Sequence, residues 1–272
     1  MRTYSLVFLD IDGTLLDSRQ QVMPQTKQIL HRLEQRGIPV ILCSARSPGG
    51  VETVAKQADL HGPAVCYGGG LILTAERSIL SDEGMRKETA AAFKQYVREH
   101  FPDVVVSAYL YDVWLVDDVN HPSVRWEAEV SKCTPLAGNL QAAAETVPHV
   151  HKLLAFGTQR RLSELRDAAA KAFPDLTLAR SSSTYLEIMS KAVSKRKAVE
   201  RLQEHYHVSR EEIVAFGDHF VDLEMLQYAG LGVAMGNAPG PVQKAAAQVT
   251  ASHDEEGIYI ALKHLHFRAP LI

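Results

Sequence analysis

The sequence predicts an α/β protein, a Rossmann-like parallel-sheet core interrupted by an inserted α+β domain. Three observations carry this. Short, continuously apolar runs alternate with amphipathic stretches from the N-terminus to the glycines at 68–70. The rhythm breaks near residue 82 into a β-rich stretch, and it resumes from about Tyr185. Apolar runs bounded by turn residues read as strands buried on both faces. A strand–helix–strand alternation implies a parallel sheet with right-handed crossovers.

Taken in order, residues 5–9 form the first buried strand. Pro24 suits the first turn of a helix whose apolar stripe is Ile29, Leu30 and Leu33 and which Gly37 stops. Residues 38–43 are a second strand, followed by a helix with Ser47 as N-cap and Pro48 in its first turn. Residues 63–67 form a third strand, leading into Gly68, Gly69 and Gly70. In the insert, 86–99 reads as helix, 104–118 as β-rich, 139–147 as helix, 150–157 as strand, 160–173 as helix and 176–181 as strand. Beyond it come helix 194–206, strand 212–218, helix 222–229, strand 231–235, a turn and helix over 239–248, and a closing helix over 254–265. The expected domains are a core of residues 1–82 and 185–272 and an insert of 83–184, within the usual domain size.

A chain of 272 residues with 46% hydrophobic and 22% charged residues is ordinary for a globular protein with a sizeable core. A formal net charge of −3 gives no bulk attraction to nucleic acid or to a membrane surface, and neither is an expected partner. Cys43, Cys66 and Cys133 lie outside any metal-ligand spacing and are read as reduced core thiols. No stretch is long and apolar enough to span a membrane, and the run Tyr4 to Leu9 is too short for a signal-peptide core. A cytoplasmic location is expected. The oligomeric state is open.

In parallel α/β sheets, sites form beyond the carboxyl ends of the strands. Asp10 and Asp12 end the first strand. Ser44, Ala45 and Arg46 end the second, Gly217 and Asp218 end a later one with Asp222 four residues on, and Lys195 starts the helix after the insert. The carboxylates could hold a hard cation such as Mg2+. Ser44 and Lys195 suit phosphate oxygens, one as donor and one as point charge. Of the basic run Lys191, Lys195, Arg196 and Lys197, the other three read as solvated surface. His219 reads as a bystander beside a hard-metal site. Asp112, Asp117 and Asp118 read as exposed strand and turn residues of the insert.

"DIDGT" (10–14), "SAR" (44–46), Lys195 and "GD" (217–218) with a further Asp at 222, in that order, resemble the four motifs of the haloacid-dehalogenase-like (HAD) phosphohydrolase superfamily. The insert lies between the second and third motifs, as in the Cof-type phosphatase branch with its C2 cap. Further similarities to that branch are "LEI" before Lys195, "VAMGNA" (233–238) and "DEEGI" (254–258). The resemblance implies a Mg2+-dependent phosphatase that hydrolyses a small phosphorylated metabolite, such as a sugar phosphate, nucleotide or cofactor phosphate, through an aspartyl-phosphate. It implies Asp10 as nucleophile and Asp12 as general acid/base. Ile11, Ser44, Ala45 (through its amide) and Lys195 would bind phosphate. Asp10, Asp12 (through its backbone carbonyl), Asp218 and Asp222 would surround the metal. Asn237 is a candidate substrate contact, and Arg46 is read either as that or as a packing or ion-pair residue. A phosphotransferase or phosphomutase with the same intermediate, or a non-catalytic metabolite-binding protein, are the alternatives.

Three positions depart from the branch. Ala45 replaces a glycine, Gly68-Gly69-Gly70 replaces Asn-Gly-Ala, and Val221 occupies the place of an asparagine that approaches the phosphate. Loss of that donor is expected to weaken phosphate or transition-state binding by ~1.5–3 kcal/mol.

Overall fold

In the computed structural model, which describes residues 2–131, 133–140, 147–180 and 182–270, the chain divides into two compact units. One comprises Met1–Ser81 with Ser194–Ile272, the other Asp82–Val193.

The first unit is built on an eight-stranded sheet. Its strands follow the order Gln248–Val249, Leu231–Ala234, Ile213–Gly217, Leu6–Leu9, Val40–Cys43, Ala64–Cys66, Leu71–Leu73 and Ile79–Asp82. The first six are mutually parallel, and Leu71–Leu73 pairs antiparallel to Ala64–Cys66. Leu6–Leu9, Val40–Cys43 and Ile213–Gly217 are buried at every residue, which is why they read as unbroken apolar runs. Leu9 lies opposite Phe216 on one side and Leu42 on the other. The residues that follow, Asp10, Ser44 and Asp218, therefore leave the sheet beside one another at its carboxyl edge. The Asp10 amide extends the ladder by donating to the Phe216 carbonyl at 3.1 Å.

Local chemistry sets the helix starts. Ser47 caps Pro48–Ala58 by accepting from the Gly50 amide, with Pro48 in the first turn. Ser194 caps Lys195–His205 by accepting from the Lys197 amide. Pro24–Gln35 has no side-chain cap of its own, because Met23 precedes it. Glu256 supplies one from the far end of the chain, accepting from the amides of Gln25 and Thr26 at 2.8 and 2.7 Å and from the Thr26 hydroxyl at 2.7 Å. Asp254 likewise accepts from the Ser18 amide at 2.8 Å. Glu256 sits at φ +57°, so the expected closing helix is broken there and begins at Gly257.

The second unit is a six-stranded sheet ordered Pro135–Ala137, Val113–Val116, Val105–Leu110, Lys152–Phe156, Tyr185–Ser190 and Leu176–Arg180. Helices Lys87–His100 and Gln159–Ala172 contribute Phe93, Val97, Leu162 and Leu165 to one core with the alternate strand residues Val106, Ala108, Leu153, Ala155, Leu186 and Ile188.

Here the structure departs from expectation in several places. Residues 185–190, which the expected boundary assigns to the core, instead form the strand Tyr185–Ser190 in the sheet of the insert, antiparallel to both Lys152–Phe156 and Leu176–Arg180. The boundary therefore falls at Ser194 rather than Tyr185. The sequence carries the reason: "YLEIMS" alternates, with Leu186 and Ile188 fully buried and Glu187 and Met189 half-buried, the pattern of an antiparallel strand. A helix over Pro122–Ser131 and the antiparallel strand Leu71–Leu73 were not expected. The helix expected over 139–147 lies for the most part at 141–146, outside the described residues. Cys43 and Cys66 are buried thiols, whereas Cys133 is half-buried and not in the core. No helix among the described residues is long and apolar enough to cross a membrane.

Candidate active site

Asp10 leaves the end of the central strand and meets Lys195 and Asp222 below the protein surface. The Lys195 Nζ donates to Asp10 Oδ1 at 2.5 Å and to Asp222 Oδ1 at 2.6 Å; the three side chains are 5%, 10% and 0% exposed respectively. Asp222 uses its second oxygen as well, accepting from the amides of Asp218 and His219 at 3.1 and 2.9 Å. Burial opposes the charge on Lys195, but the two carboxylates outweigh it and hold the ammonium charged beyond the ordinary lysine range. For Asp10 burial dominates and raises the carboxyl to about 7; Lys195 pulls it down, while Asp222 and Asp218 push it up. The Lys195 ammonium thus bonds two of three neighbouring carboxylates. Burial also pushes the neighbouring Cys43 thiol up to about 12, which leaves it unreactive.

Asp218 is positioned by the turn that follows Asp12. The Thr14 hydroxyl, itself buried, donates to Asp218 Oδ1 at 3.0 Å. Gly13 adopts φ +82°, and a Cβ there would lie 2.4 Å from Asp218 Oδ2, so the close approach requires glycine. Asn237 Nδ2 donates to the Gly13 carbonyl at 2.8 Å and lies 3.4 Å from Asp218 Oδ2, while its Oδ1 accepts from the His253 amide. Its contacts are thus to the acidic group and the turn around it. Burial raises the Asp218 carboxyl, against the lowering effect of the Thr14 hydrogen bond. No local pattern in the sequence announces the hold of Gly13 and Thr14 on Asp218.

Asp12 points elsewhere. Its carboxylate is gripped by Arg46, with Nε to Oδ2 at 2.9 Å and Nη2 to Oδ1 at 2.6 Å, so the ion-pair reading of Arg46 is the one the structure shows. Ser44 is buried at the end of its strand, its Oγ accepting from the Arg46 amide at 3.2 Å. The turn Ser44–Arg46 is braced from the next loop, where the amides of Tyr67 and Gly68 donate to the carbonyls of Arg46 and Ser44. That loop takes φ +52°, +62° and +112° at Tyr67, Gly68 and Gly69. A Cβ on Gly69 would lie 2.5 Å from the Ser194 carbonyl, whereas one on Gly68 would meet nothing within 4 Å. Ile11 is fully buried. Ala45 sits half-buried between Ser44 and Arg46. Val221 and its neighbour Phe220 are 62% and 50% exposed, and His219 is exposed beside them.

Asp10, Asp218 and Asp222 each offer a carboxylate oxygen within 4.8 Å of the others. Hard oxygen donors at that separation, with an excess of negative charge over the single ammonium, fit a divalent cation such as Mg2+. The Asp12 side chain is not in this group.

The sequence matches the family described as haloacid dehalogenase-like hydrolase over residues 7–262. The chain belongs to that family. This hydrolase is 34% identical over 260 residues to a Haemophilus influenzae protein, covering 96% of this chain and 97% of the other. It is 26% identical over 273 residues to a 5-amino-6-(5-phospho-D-ribitylamino)uracil phosphatase of Bacillus subtilis, covering 95% and 96%. Among solved structures, a haloacid dehalogenase-like hydrolase from Bacteroides thetaiotaomicron superposes with a TM-score of 0.86 at 28% identity, covering 96% of this chain and 99% of that one.

Proposed function

We propose that this hydrolase is a Mg2+-dependent phosphatase that cleaves a small phosphorylated metabolite through an aspartyl-phosphate on Asp10. The observation that carries the reading is the Lys195–Asp10 contact at 2.5 Å inside a buried acidic group. A binding-only protein has no need to hold a carboxylate there, and phosphatases among its relatives support the same class.

In this reading Asp10 attacks phosphorus and the bond from phosphorus to the leaving oxygen breaks, with the Asp12 proton passing to that oxygen. Asp12, now ionised, takes a proton from water as the water attacks phosphorus and the bond to Asp10 breaks. Lys195 takes Asp10 Oδ1, keeping the nucleophile ionised and oriented and leaving Oδ2 clear of the ammonium. Ser44, the amides of Ile11 and Ala45, and Lys195 bind the phosphoryl oxygens. Asp10, Asp218 and the Asp12 carbonyl would hold the cation. Asp222, with both oxygens already accepting from protein groups, supports Lys195 and the Asp218 loop from behind. When bound, Mg2+ would offset the repulsion between an anionic nucleophile and an anionic substrate.

The test is phosphate release from p-nitrophenyl phosphate with Mg2+ and with chelator. Release that needs Mg2+ and is lost in Asp10→Asn is expected; metal-independent release, or an active Asp10→Asn, would sink the proposal.

A further inference from the structure

Arg46 holds the partly exposed Asp12 carboxylate by a two-point fork. The fork is bidentate, at 2.9 and 2.6 Å, and the two side chains are 31% and 53% exposed. Among the described residues Arg46 is the only group bonded to the Asp12 carboxylate. Exposed ion pairs contribute little to stability, so the fold has little need of this one.

The arginine is itself held. Its amide donates to Ser44 Oγ at 3.2 Å and its carbonyl accepts from Tyr67 at 3.0 Å. Its Nη2 also lies 3.4 Å from Gln20 Oε1, and Gln20 is tied down by Gln57, whose Nε2 donates to its carbonyl at 3.1 Å. The positive φ of Gln20, +60°, places it in the turn that makes this contact. A two-point fork fixes the plane of a carboxylate as well as its position.

We propose that Arg46 is a positioning residue that locks the Asp12 carboxyl in the orientation from which it exchanges its proton with the leaving group. The inference rests on the phosphatase reading above and adds a residue to it. It replaces the alternative in which Arg46 meets the substrate. Geometry of this kind matters because general acid–base transfer contributes about 10²–10⁴-fold, and a displacement on the order of 1 Å can cost about 10²-fold.

The prediction separates substrates by their leaving groups. An alkyl phosphate such as glycerol phosphate departs as a strongly basic alkoxide and needs the proton, whereas p-nitrophenolate departs with little help. The measured quantity is kcat/KM, which reports the steps up to transfer of the phosphoryl group to Asp10 and excludes the later attack of water. Arg46→Ala is expected to lower kcat/KM for the alkyl ester at least ~10-fold more than for the aryl ester. Arg46→Lys, which keeps the charge but loses the fork, should fall between the two. In an Asp12→Asn background, Arg46→Ala should add little, because there is no proton left to position. A uniform loss on both esters, a rise in KM alone, or full additivity with Asp12→Asn would overturn the proposal. Failure of the underlying reading would appear differently, as a wild-type protein with no Mg2+-dependent phosphate release on either ester.

Discussion

Replacing Lys195 with methionine removes the ammonium that bonds two buried carboxylates while keeping most of the side-chain volume. Its contacts are 2.5 Å to Asp10 and 2.6 Å to Asp222, and none of the three side chains is more than 10% exposed. Breaking a buried pair by removing one partner costs about 3–5 kcal/mol, because the surviving charge stays desolvated. The loss should also depend on pH. The Asp10 carboxyl is already raised to about 7, and Lys195 is among the influences that lower it, so the variant should raise it further. A carboxyl whose folded value lies above its unfolded value contributes stability below the unfolded value, near ~3.9, and loses it as pH rises through the folded one. Urea unfolding of the metal-free protein should therefore show a smaller loss near ~pH 5 than near ~pH 8. A loss under ~1 kcal/mol at both pH values, or one independent of pH, would refute the account of a charge-starved buried group.

Other outcomes follow from the same geometry. Mg2+ affinity should rise as pH climbs through the raised Asp10 value of about 7 and then flatten, since the cation needs the ionised form; calorimetry in buffers of different protonation enthalpy should show proton release below that value, and pH-independent binding would contradict it. Gly69→Ala should destabilise by about 1–3 kcal/mol, as its Cβ meets the Ser194 carbonyl at 2.5 Å with φ +112°, whereas Gly68→Ala should cost about 1 kcal/mol, the strain of its backbone alone; equal losses in urea unfolding would contradict this. Glu256→Ala should cost about 1–2 kcal/mol and speed amide exchange in the first turn of Pro24–Gln35, where it caps Gln25 and Thr26; unchanged exchange there would show that the cap is not needed.

The central strands were plain in the sequence because burial on both faces leaves nothing but apolar residues between Leu6 and Leu9 or Ile213 and Phe216. The polar residues ending those strands could be found for the same reason, and Asp10, Ser44, Lys195 and Asp218 come from separate elements of one unit. What escaped was long-range and geometric. The Glu256 cap joins residues more than two hundred positions apart, and no local pattern announces it. The Thr14–Asp218 bond depends on two loops meeting at the sheet edge. The alternating pattern of Tyr185–Ser190 marks it as a strand of the insert, which the expected boundary at 185 assigns to the core. Tyr109 and Trp114 of the insert are buried and stacked on each other at 5.8 Å, a pairing that cross-strand register creates.

The proposal that Asp10 carries the phosphoryl group is tested most directly by catching it there. A single turnover in Mg2+ with excess enzyme, quenched in acid and read by peptide mass spectrometry, should show one phosphoryl group on the peptide holding Asp10 and none in Asp10→Asn. Substrate turnover with no phosphoryl group ever found on Asp10, or the same modification on another residue, would contradict the account.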